Sequence, residues 1–266
     1  MGKFLDALVQ RKYDLAAEIN SIEILMHKEN YNTYSAYKIF STWFLQWPHR
    51  NNYINVKSFL EDTGIQDIID DSKAGECISI DRFTYYAECV LNILNYNSLR
   101  SRSGYEKYIH ENINNVLGHL NYQRHIVDGD IHIVEKDVLI SESVEILQDT
   151  YNLGESVYAY NYREMSGDLY GKADILCRLY KYFETIEKKA CGYDLKSLAE
   201  DISILSNKLD VRHAPTPKQE IVLGNMTKDE IEEWYDELFR LYLSLIVLVD
   251  YKDRRKDIKE LKSRLG

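Results

Sequence analysis

Apolar residues recur at three- and four-residue spacing over most of this chain, the period of amphipathic helices. Phe4, Leu5, Leu8, Val9, Leu15, Ile19, Ile22 and Leu25 share a face and predict a helix over 2–28. A second helix is expected over Tyr34–Trp47, stopped by Pro48. Short helices follow at 55–63 and 65–71, then a longer one capped by Ser79 or Asp81, and another at 104–120. Period two appears once: Tyr122–Val127 and Asp130–Val134 flank Asp128-Gly129, the favoured pair of a two-residue hairpin turn. Helical spacing then resumes at 137–150, 153–161, 167–189 and 193–208. The last helix opens with a capping box, Thr227 and Glu230, and runs through Trp234, Leu238, Leu241, Leu245 and Leu248. The pattern predicts a mostly α fold, a helical bundle with one β-hairpin near 122–134. Serines and arginines at 98–103 suggest an N-terminal helical region over 1–100 and a bundle over 101–266.

Composition supports this picture. Only 12 glycines and 3 prolines punctuate 266 residues, too few turns for a many-stranded fold. The net charge of −10 opposes non-specific coating of nucleic acid or anionic membranes. Cys77, Cys89, Cys177 and Cys191 lack the spacing of a zinc ribbon or finger. The N-terminus carries Asp6, Arg11, Lys12 and Asp14 and does not read as a signal peptide. The most apolar run, Leu241–Val249, is nine residues long, too short to span a bilayer. A cytoplasmic protein without cofactor or membrane association is expected.

The sequence has no phosphate-cradling glycine loop, no nucleophile elbow and no H-E-x-x-H. A helix leading into a hairpin suggests a winged helix, but the charges over 100–137 sum to −1, where a DNA-reading face is basic. Asp130 and His132 share one strand face, yet Asp128 is committed to the turn and two ligands make no metal site. Aromatics at Tyr34, Tyr37, Phe40, Trp43, Phe44 and Trp47 fall at core spacing rather than as a base-stacking platform.

Two segments stand apart from generic bundle sequence. Tyr160, Arg163 and Asp168 gather polar groups in a short connection, with Asp168 placed to complement a helix dipole. In Asn207-Lys208-Leu209-Asp210-Val211-Arg212-His213, a permanent cation sits beside a group titrating near neutrality. Arg212 and His213 are therefore the best phosphate-holding and acid–base pair, with Asp210 as a neighbouring binding residue. The competing reading is a helix C-terminus whose carbonyls meet Arg and His.

At these positions the chain resembles a family of uncharacterised bacterial cytoplasmic proteins. The matching residues are Tyr160-Asn161-Tyr162-Arg163, Gly167-Asp168, Lys172 with Ile175-Leu176, Glu184, Asn207–His213 and Trp234-Tyr235-Asp236-Glu237. The resemblance covers about 120–250 and implies a helical bundle with a hairpin. A fainter likeness is to HEPN-type helical ribonucleases, whose Arg and His cleave RNA without metal across two chains. Here the two residues are adjacent rather than four to six apart.

Residues 251–266 carry seven basic and three acidic side chains, a sum of +4 that leaves −14 for the remainder, and Ile258, Leu261 and Leu265 keep an apolar seam. The leading expectation is an interaction or regulatory protein that binds a protein partner or its own copy. The alternative is a HEPN-like, metal-independent ribonuclease of toxin or anti-phage type using Arg212 and His213. A winged-helix-like nucleic-acid binder ranks third.

Overall fold

A computed structural model describes residues 14–29, 34–98, 105–148, 150, 153–213, 221 and 223–265. It is mostly α, with eleven α-helices and one two-stranded antiparallel hairpin among the described residues. The chain divides into two compact units, 1–133 and 134–266. The division expected at residue 100 falls inside the first unit, and 99–104 lie outside the described residues.

The first unit contains α1 (Leu15–His27), α2 (Ala36–Trp43), α3 (Val56–Asp62), α4 (Ile65–Ala74), α5 (Ile80–Ser98) and α6 (Glu106–His119), then β1 (Tyr122–Val127) and β2 (Asp130–Glu135), whose end lies at the unit boundary. α6 packs on α1 and α5, so it belongs here and not with the later bundle. The helix expected from residue 2 does not run through Asp14. That residue is extended, and its carboxylate caps α1 by accepting from Ala17 N–H at 3.1 Å. Residues 1–13 are outside the description. Ile19, Ile22, Phe40, Phe83, Leu91, Ile109 and Ile113 fill one core. Phe40, Phe44, Trp47 and Phe59 pack edge-on within it, so most of the aromatic run is core as its spacing implied. Tyr34 and Trp43 remain exposed.

The hairpin turns at Asp128 and Gly129, both with positive φ, the conformation its sequence called for. α5 then serves β2 as a neighbour. Asn92 accepts from Ile131 N–H and donates to its carbonyl, Glu88 accepts from Ile133 N–H at 2.6 Å, and Asn95 donates to the Gly129 carbonyl. Asp130 pairs with His49 at 2.9 Å. The hairpin is thus fixed along α5 by four side-chain bonds, unlike the free wing of a winged helix.

The second unit contains α7 (Val138–Leu147), α8 (Leu153–Ala159), α9 (Leu169–Gly192), α10 (Lys196–Lys208) and α11 (Lys228–Leu265). α7, α9 and α10 all pack on α11, which explains why the middle of α11 is apolar all round. The capping box forms as its spacing requires: Glu230 N–H donates to Thr227 Oγ1 at 3.2 Å, and Thr227 N–H donates to Glu230 Oε2 at 2.7 Å. No described helix is long and apolar enough to cross a membrane.

Candidate functional site

The polar residues singled out in the second unit settle at two places along α9. The first is its N-terminal end. Gly167 takes a positive φ, which turns its N–H toward Glu232 Oε1 at 2.9 Å, and Asp168 caps α9 by accepting from Gly171 N–H. One turn on, Lys172 is 6% exposed, an unusual position for an ammonium. It reaches Glu232 Oε1 at 2.8 Å and Asp236 Oδ1 at 2.6 Å. Tyr160, at the end of α8, donates its hydroxyl to the same Asp236 oxygen at 2.9 Å. The Tyr160 ring stacks on Phe239 with centroids 3.9 Å apart, and the Lys172 ammonium lies 5.1 Å from that ring's centroid. Glu232, Asp236 and Phe239 are four and three residues apart, so one face of α11 carries all three.

Electrostatics at this station follows from the contacts. Burial pushes the Tyr160 hydroxyl well up, and the Asp236 charge adds to the effect. Burial also works against ionised Glu232, but the Gly167 N–H and Lys172 outweigh it and hold that carboxyl below its ordinary range. A phenol bonded to a carboxylate and an ammonium divided between two carboxylates supply neither a nucleophile nor a proton relay near neutrality. The cluster instead ties α8, α9 and α11 together.

The second place is the end of α10. Val211 N–H bonds the Ser206 carbonyl and Asp210 N–H bonds that of Asn207, with Asp210 at φ 52°. This is a Schellman ending with Asp210 in the left-handed position. Leu209 and Val211 are buried and anchor the turn. Arg212 then folds back: it donates to Asn207 Oδ1 at 2.7 Å, lies 3.9 Å from Glu184 and sits over the Tyr180 ring at 5.0 Å. His213 is exposed, and the Pro215 and Pro217 loop that follows is outside the described residues.

Of the residues nominated from sequence, Tyr160 and Asp168 belong to the first station, and exposed Arg163 lies in the 3-10 turn just before it. Asp210 and Arg212 form the second, with His213 next in the chain. Tyr180 and Glu184 are eight and twelve residues after Lys172 on one helix, about 12–18 Å along its axis. The two stations are therefore separate, and no single cleft gathers Arg212, Asp168 and Lys172. Glu232 is the participant that sequence reasoning missed. Its spacing of four from Asp236 was visible, but its partner, Lys172, lies sixty residues away. In the first unit, a cavity of about 30 Å³ lined by Glu23, Tyr37, Tyr86 and Cys89 is far too small for a cofactor. There burial, then the Glu23 charge, pushes the Cys89 thiol up to about 12, which leaves it inert.

The remaining distinctive surface is the end of α11. Among the described residues, Asp253 is the last of this helix bonded to a neighbouring one, taking Lys189 and the Tyr193 hydroxyl from the end of α9. Every described residue after it is exposed, among them Ile258 at 51%, Leu261 at 54% and Leu265 at 80%. No protein-family model, curated protein or solved structure matches this chain.

Proposed function

We propose that the protein is a helical interaction protein, and that the end of α11 is its docking element. The observation that carries this reading is the exposed apolar seam in a basic segment, Tyr251, Ile258, Leu261 and Leu265, on a helix whose first six turns are packed into the bundle. A helix already nucleated and held at one end presents such a seam at low entropic cost. The polar stations favour the same reading over RNA cleavage. The Arg212 guanidinium is engaged by Asn207, Glu184 and Tyr180, and Lys172 is divided between two carboxylates.

The test is light scattering and native mass spectrometry on the full chain and on its Ile258→Asp/Leu261→Asp variant. A stoichiometric complex, with itself or another chain, that the variant loses supports the proposal. An uncomplexed monomer in both overturns it. Incubation with RNA in EDTA tests the ribonuclease alternative. RNA loss that His213→Ala abolishes would replace the docking role with catalysis.

A further inference from the structure

The positions of the seam identify its occupant. Tyr251, Ile258 and Leu265 recur every seven residues, and Leu261 lies three beyond Ile258, so the tail reads as a heptad with a at 251, 258 and 265 and d at 254 and 261. Val247, half-buried on the same line, extends the d row one turn toward the bundle. The flanking rows then differ in charge. The g positions hold Asp250, Asp257 and, in the last turn, Arg264, and the e positions hold Arg255 and Lys262.

We infer that the tail pairs with the tail of a second copy as a parallel, in-register two-stranded coiled coil. This rests on the docking role proposed above. In a parallel pair, each g residue faces the e residue five positions later on the other strand. Asp250 of one copy then meets Arg255 of the other, and Asp257 meets Lys262, both attractive and both repeated by symmetry. In an antiparallel pair, e faces e and g faces g, so the basic e row would gain no opposite charge, and in the g row Asp257 would meet its own copy while only Asp250 could meet Arg264. Ile258 at a with Leu261 at d is also the combination that favours two strands.

Arg254 occupies a d position, where like charges from the two copies face across the axis. Its own Asp250 takes it at 2.7 Å, which limits the repulsion but leaves a polar layer in the seam. A polar residue at one core layer sets register at a cost in stability. This pairing is therefore expected to be weak and adjustable.

Sedimentation equilibrium on the full chain tests the assignment, with wild type expected to reach twice 31.3 kDa at high protein concentration. Ile258→Asp should weaken the dimer by about a hundredfold or more, and Arg254→Leu should tighten it by about tenfold, since each tenfold step is one modest apolar contact. Asp257→Lys and Lys262→Glu should each weaken it, and combining them should restore it. All four substituted residues are exposed in the single chain, so these variants keep the monomer fold, checked by circular dichroism. Failure of the double charge exchange to restore pairing overturns the parallel register. A monomeric wild type that loses a stoichiometric foreign partner on Ile258→Asp overturns self-pairing while leaving the docking function standing. A wild type with neither dimer nor partner removes both.

Discussion

The Lys172 ammonium lies 2.6 Å from Asp236 across α9 and α11, in a residue only 6% exposed. A cation so placed is stable only while its carboxylates face it. The same oxygen of Asp236 also takes the Tyr160 hydroxyl, so three helices depend on one atom.

Lys172→Met should therefore destabilise the second unit by about 2–4 kcal/mol, because it leaves Glu232 and Asp236 facing each other without a counter-charge. The partial exposure of Asp236 places the cost toward the lower end. Lys172→Met combined with Glu232→Gln should recover part of it. Urea unfolding followed by circular dichroism measures both, and an unchanged midpoint in the single variant would contradict the account.

The acid side of the stability profile has a defined sign. Glu232 is held below its ordinary value, so its contribution is present above about pH 4.5, its unperturbed position, and fades as pH falls through the lowered folded value. Thermal melts between pH 6 and pH 3 should show wild type and Glu232→Gln converging as the solution is acidified. A constant gap would mean that the carboxylate charge contributes nothing.

Two helical glycines should respond to alanine in opposite ways. Gly118 in α6 has open space where a Cβ would stand, so Gly118→Ala should stabilise by about 0.5–1 kcal/mol through the unfolded chain. At Gly171 a Cβ would stand 2.5 Å from Asp168 Oδ2. Gly171→Ala should displace that cap and cost about 1 kcal/mol or more. Melting temperatures that move in the same direction would refute the assigned role of Asp168.

Asp210 holds a left-handed backbone position at the end of α10. Asp210→Gly should keep or raise stability, whereas Asp210→Val should lose about 1–2 kcal/mol, because a β-branched residue is strained there. If Asp210 instead contacted a bound molecule, the glycine variant would lose binding while remaining folded.

Local chemistry was legible in the sequence and distant pairing was not. Asp128-Gly129 specified the hairpin turn, Thr227 and Glu230 specified the start of α11, and Ile258, Leu261 and Leu265 marked an apolar seam in a basic segment. Asp14 shows how periodicity misleads. The apolar positions on either side of it share one face, yet a short acidic side chain gains more by capping than by continuing a helix. The first polar station was half visible: Tyr160 and Asp168 stood out as polar groups at a connection, and Lys172 and Asp236 only as positions matching a family pattern. Their convergence, and the part of Glu232, depends on how α9 crosses α11, which no local pattern encodes.

The α5 amides and carboxylate along β2 have a consequence for behaviour at high concentration. A bare strand edge invites a strand from another chain, and from there growth into sheets. Here Asn92 and Glu88 have already taken the two N–H groups that such a visitor would need first, at Ile131 and Ile133. An incoming strand would have to displace side chains preorganised on a helix to gain backbone bonds of similar worth. Along this edge the hairpin is closed to recruitment.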